Sequence, residues 1–187
     1  MKKKKRISPG KTLRITQFGN PILRRKQKSV SESMLHAGTF RALVKKMFPT
    51  MHRANGVGLA APQVGKNMSF AVVEVRKTRL RPDTTPLAKT VIINPRITSH
   101  SRKVEYDWEG CLSLESVRGL VPRYKEIAVE YEDLSGKKIV RNLKGYHARV
   151  FQHEIDHLNG ILYVDRMDDM RTLTTLKELE KEMRNNR

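Results

Sequence analysis

The sequence predicts an α+β fold: antiparallel β-sheets packed around a central metal-binding helix, with an N-terminal helix and a C-terminal helix outside them. Three observations carry this. Short β-branched runs cluster in the middle of the chain without the βα alternation that builds parallel sheets. Helical periodicity is confined to the segments on either side of them. The later helical segment contains "QHEIDH", with two histidines four residues apart.

The elements follow in chain order. Residues 1–11 read as a basic tail, and residues 12–30 as an extended arm with a turn at "GNP" (19–21). From Ser31 a helical spacing of Leu35, Leu43, Met47 and Met51 runs to Asn55-Gly56, with a break or kink expected at Pro49. "GVGLAAPQVG" (56–65) is too rich in Gly and Ala to pack and reads as a loop that something approaches closely. Strands are expected at residues 69–76, 90–97 and 126–132, and a turn at "DLSGKK" leads into "IVRNL" to close a hairpin. Residues 146–158 read as a helix stopped by Asn159-Gly160. A final helix is expected over residues 168–183, with Leu173, Leu176 and Leu179 on one face.

The chain's 187 residues fit one domain, here residues 12–187. No apolar run approaches the roughly 18–20 residues of a membrane span, and no apolar stretch follows "MKKKKR" as a secretory signal requires. The single cysteine, Cys111, excludes an internal disulfide and fits a reducing compartment. The net charge of +19 is uneven: residues 1–31 hold eleven Lys or Arg and no acid. A basic arm of this kind suits either an anionic partner such as nucleic acid or simple solvation.

On a helix, His153 and His157 share one face and can aim neutral ring nitrogens at one ion. Glu154 turns away by one position, within reach of a water rather than the ion. The bland alternative is an exposed polar helix. Two imidazoles hold a metal poorly, and a catalytic site keeps three protein ligands and one open position. No histidine follows His157, and several of the downstream acids belong to the last helix. Upstream, "WEGCLSLES" (108–116) sets Cys111 in a Gly-containing turn, and a thiolate is a strong ligand for a divalent transition metal. Against this stand Cys111 as a small buried hydrophobe and as a free nucleophile.

Taken together, "GVGLAAPQ", "EGCLS" and "QHEIDHLNG" resemble, in order and spacing, the three signature motifs of the peptide deformylase family. The resemblance covers residues 12–167. It implies a divalent transition metal, natively Fe(II) with Zn, Ni or Co as replacements, held by Cys111, His153 and His157. It implies removal of the formyl group from the formylmethionine of new polypeptides, with release of formate. Glu154 would move the proton, while the Gln63 amide and the Leu112 backbone N–H would stabilise the formyl oxygen. Val57, Gly58, Gly110 and Val150 would contact substrate, with Val57, Val150 and His153 walling the methionine pocket. The family is also thought to dock at the ribosome, an encounter the charge suits, and the bacterial cytoplasm is favoured over an organelle.

Two departures carry expectations. Arg149 stands where other branches are often apolar, which predicts a more polar pocket rim. Leu114-Glu115 stands where the family usually has a proline, which predicts a more flexible segment after Cys111 and a carboxylate near the substrate path. Asp156 is expected to pair with an arginine such as Arg123, while His36, His52, His100 and His147 read as ordinary surface or packing residues. The competing functional classes are a general metallopeptidase and a basic RNA- or ribosome-binding protein with a structural metal.

Overall fold

Strand β2 (Phe70–Val75) has apolar residues on both faces and so sets the layering. Ala71, Val73 and Val75 face one core and Phe70 and Val72 the other, following the period of two along a strand. The computed structural model describes residues 12–77 and 83–185, so the basic tail, residues 1–11, lies outside the described residues. Over β2 on one side pack α1 (Glu32–His36) and α2 (Gly38–Arg53), through Leu35, Phe40, Val44, Met47 and Met51. On the other side packs α3 (Gly145–Leu158), through Ala148, Val150, Phe151, Ile155 and Leu158.

The main sheet has five strands in the order β1-β2-β3-β6-β7, all antiparallel, with β1 (Gly58–Ala60), β3 (Leu87–His100), β6 (Glu126–Glu132) and β7 (Lys138–Lys144). A smaller sheet is built on the hairpin of β4 (Val104–Cys111) and β5 (Leu114–Tyr124), closed by β8 (Thr174–Thr175). The last helix is α4 (Leu176–Asn185). The α+β class with antiparallel sheets, a central helix and helices toward both ends is therefore as the sequence indicates.

Several local expectations change. Pro49 does not break α2, which runs on to Arg53. The Gly-rich stretch is a short edge strand, β1, followed by a 3-10 turn at Ala61–Val64. The last helix begins at Leu176, because residues 170–172 form a 3-10 turn and residues 174–175 pair with Val117 and Arg118. The β4–β5 hairpin escapes the sequence pattern because its inward face is partly charged. Glu109 and Arg123 are buried there, while Val104 and Tyr106 face out, which inverts the usual alternation. The turn at Cys111 is narrower than expected, only Leu112-Ser113, and Leu114 and Glu115 already belong to β5 rather than to a free loop.

Candidate metal centre

Helix α3 and the β4–β5 turn meet at the three expected donors. Ligand atoms of Cys111, His153 and His157 lie within 4.8 Å of one another, and Cys111 and His157 are buried. The Sγ of Cys111 is 3.2 Å from Nε2 of His157, and the two imidazole rings stand edge to face at 4.9 Å. Nδ1 of His153 is taken by the Glu109 carboxylate at 2.9 Å, which leaves Nε2 for the ion. Burial opposes ionisation of the Cys111 thiol, but His157 and His153 outweigh it and hold the thiol well below its usual pKa, as a thiolate ligand requires. A thiolate and two imidazoles suit a divalent transition metal. Among the described residues three donors gather, not the four of a closed structural site.

Glu154 is buried beside this group, and its Oε2 has no partner among the described residues. Burial pushes its pKa up to about 7. Its carboxylate rests against β1, in space open only because residue 58 is glycine. A Cβ built on Gly58 would fall 2.1 Å from Glu154 Oε1.

Gln63 comes from the 3-10 turn after β1 and is 1% exposed. Its Oε1 accepts from the Ala60 N–H at 2.8 Å, which aims Nε2 at Cys111 Sγ and Ser113 Oγ, each 3.3 Å away. Leu112 occupies the turn between β4 and β5, and its carbonyl accepts from Gln17 Nε2 at 3.3 Å. Gly110 leaves room for Arg118, whose guanidinium carbon would lie 2.4 Å from a Cβ there. Val57 packs on the core cluster that contains Val150.

Around His153 lies a buried charge network that sequence reasoning found only in part. Arg123 pairs with Asp156, as expected, and also holds Glu109 by two bonds of 2.9 and 3.0 Å. Arg166 reaches Asp156 at 2.8 Å. Arg149 does not make the pocket rim polar. It is 5% exposed and donates to Glu109 Oε1 and to the carbonyls of Val121 and Glu105. Glu109 is held well below the usual carboxylate range: burial works against this, and His153 and Arg123 overcome it. Its only sequence signal was its place two residues before Cys111. Of the four remaining histidines, His52 pairs with Glu74, His100 stacks on Tyr124, and His147 meets the Thr85 carbonyl at 2.7 Å.

The comparisons with known proteins agree with this geometry. Residues 12–172 match the family model for polypeptide deformylase. Peptide deformylase 2 of Nostoc sp. is 41% identical over 168 residues, covering 90% of this chain and 92% of that one. The crystal structure of a class I type b peptide deformylase from Acinetobacter baumannii, bound to Met-Ala-Ser, superposes with a TM-score of 0.81 at 36% identity and covers 83% of this chain and 98% of that one. A peptide deformylase from Synechococcus elongatus in complex with actinonin gives a TM-score of 0.77 at 36% identity over 97% of this chain and 90% of that one. Motif, fold and relatives converge on one conclusion: the chain belongs to the peptide deformylase family, metal-dependent hydrolases that remove the N-formyl group from nascent polypeptides.

Proposed function

We propose that Cys111, His153 and His157 hold Fe(II) natively, with Zn, Ni or Co able to replace it, and that Glu154 is the general base and acid of deformylation. The observation that carries this is the buried, partly unpartnered Glu154 carboxylate set beside the three-donor group. When bound, the ion supplies Lewis acidity that makes a water nucleophilic near neutral pH. Glu154 takes a proton from the attacking water and returns it to the departing amine as the C–N bond breaks, leaving formate and a free N-terminus. The Gln63 amide, held in place by Ala60, and the backbone N–H of Leu112 donate to the formyl oxygen as negative charge develops there. The chain to be deformylated lies extended along β1, meeting the backbone of Val57 and Gly58 and passing Gly110, with the methionine side chain against Val57, Val150 and His153.

The substrate is the formylmethionyl end of a nascent chain, met in the bacterial cytoplasm. Residues 12–187 work as one catalytic domain. The basic stretch of residues 1–31 favours a salt-sensitive contact with the ribosome. No helix of the described residues is long and apolar enough to cross a membrane. Formate release from formyl-Met-Ala-Ser by anaerobically purified protein, with and without chelator, tests the assignment. Chelator-sensitive release supports it. No release from protein shown to carry one metal ion would overturn it and point to a repurposed relative.

A further inference from the structure

A cleft of about 500 Å³ opens between the arm of residues 12–17, the C-terminal end of α2 and Glu115. This is within the usual size of small-ligand pockets, roughly 300–1,000 Å³. None of the three metal ligands lines it, yet its lining includes residues adjacent in the chain to both sides of the proposed substrate seat. On one side Arg53 and Ala54 lead straight into residues 55–58. On the other, Glu115 follows the Leu112 turn, and Gln17 bonds the Leu112 carbonyl. The walls close together at Gly56, where an added Cβ would lie 2.7 Å from Leu112 Cδ1. An extended chain advances about 3.3 Å per residue, and the cleft residues Arg53 and Ala54 lie only three to five positions along the chain from Val57 and Gly58.

The lining is chemically selective. Arg14 and Arg53 present two guanidinium groups, and Glu115 a single carboxylate. All three are exposed, and none of their side chains has a hydrogen-bond or ion-pair partner among the described residues. Guanidinium is the side-chain group best matched to a carboxylate, through paired N–H donors. Leu13 and Ile15 add an apolar floor for the stem of a side chain. We infer that this cleft is a subsite for the formylated chain downstream of its methionine and that it selects acidic side chains there. This rests on the assignment of Val57–Gly58 as the seat of the substrate.

The test uses the full-length, metal-loaded protein and C-terminally amidated formyl-Met-Ala-Ser-Ala-Ala with Asp or Lys at position 3, 4 or 5. The amide ensures that the chain terminus cannot supply the carboxylate. Each kcat/KM is divided by that for formyl-Met-Ala, which lacks positions 3 to 5, so any general loss of activity cancels. At low salt, at least one position should favour Asp over Lys by about three- to tenfold, mainly through KM, as expected for exposed charge pairs. The preference should fade at high salt. The double variant Arg14→Glu/Arg53→Glu should reverse it, and Glu115→Gln should enlarge it. Equal use of the Asp and Lys peptides, or a preference that survives the double variant, overturns the subsite. Failure of the wild-type protein to turn over formyl-Met-Ala would instead overturn the reading on which it rests.

Discussion

The carboxylate of Glu154 fills the space that a side chain at residue 58 would need: a Cβ on Gly58 would sit 2.1 Å from its Oε1 and 2.5 Å from its Cδ. Glycine at this point on β1 therefore does more than clear a path for substrate. It admits the group proposed to move the proton. Gly58→Ala should displace Glu154 and lower kcat by about two orders of magnitude or more, the scale of lost general acid–base catalysis. Metal analysis of the same preparation should show the ion retained. A Gly58→Ala enzyme with near wild-type kcat would refute this coupling.

Glu154→Gln keeps the volume of the side chain and removes its proton chemistry. It should leave metal content and fold unchanged while kcat falls by about 10²–10⁴-fold. Stopped assays of formate production, with metal quantified in parallel, separate this from a simple loss of the ion. Full activity in this variant would end the assignment of Glu154 as the base.

Glu109 orients His153 and is itself held by Arg123 and Arg149. Glu109→Gln weakens that grip and should reduce metal affinity by roughly 10–100-fold, the usual cost of losing a carboxylate behind a ligating histidine. Competition with a chelator of known affinity measures this directly.

Arg123 is a separate case, because it bridges Glu109 on β4 and Asp156 on α3. Arg123→Met would leave two buried carboxylates undercompensated, at a cost of about 3–5 kcal/mol. Arg149 would still hold one oxygen of Glu109 and Arg166 both oxygens of Asp156, so the cost should fall at the lower end of that range. Denaturant unfolding of the metal-loaded protein should show the midpoint moving down with little change in slope.

Removing the ion with a chelator should abolish turnover and lower the melting temperature together. A ligand present at a hundredfold over its Kd stabilises the native state by about 2.7 kcal/mol. Activity and melting temperature should both return on adding Fe(II) under anaerobic conditions. Turnover that persists after verified metal removal would contradict the proposed chemistry.

Ribosome binding, if it follows from the charge of residues 1–31, should weaken when residues 1–6 are deleted and when salt is raised. Sedimentation with ribosomes at two salt concentrations is sufficient. Binding indifferent to both changes would rule out an electrostatic origin.

Much of this protein is set by short-range pattern. The i, i+4 histidines with the adjacent glutamate, the lone cysteine in its turn, and the apolar strands of the main sheet are all local signals. Each reports a geometry that a few consecutive residues dictate, whether one turn of helix or one pleat of strand. The β4–β5 hairpin was not legible, because its buried face mixes the charged Glu109 and Arg123 with Cys111 and Val121. Those charges make sense only beside Arg149, Asp156 and His153, which lie 26–47 positions away in the chain and come together through folding. Arg149 shows the same limit: its sequence position suggested a polar pocket rim, but a buried guanidinium goes where carboxylates and carbonyls can satisfy it. The close fit of Glu154 over Gly58 likewise depends on how α3 crosses β1, a distance no periodicity encodes. Sequence by itself determined the donors and the class of chemistry. The tertiary structure alone decided which charges compensate one another and which backbone makes room, because burial and long-range packing govern both.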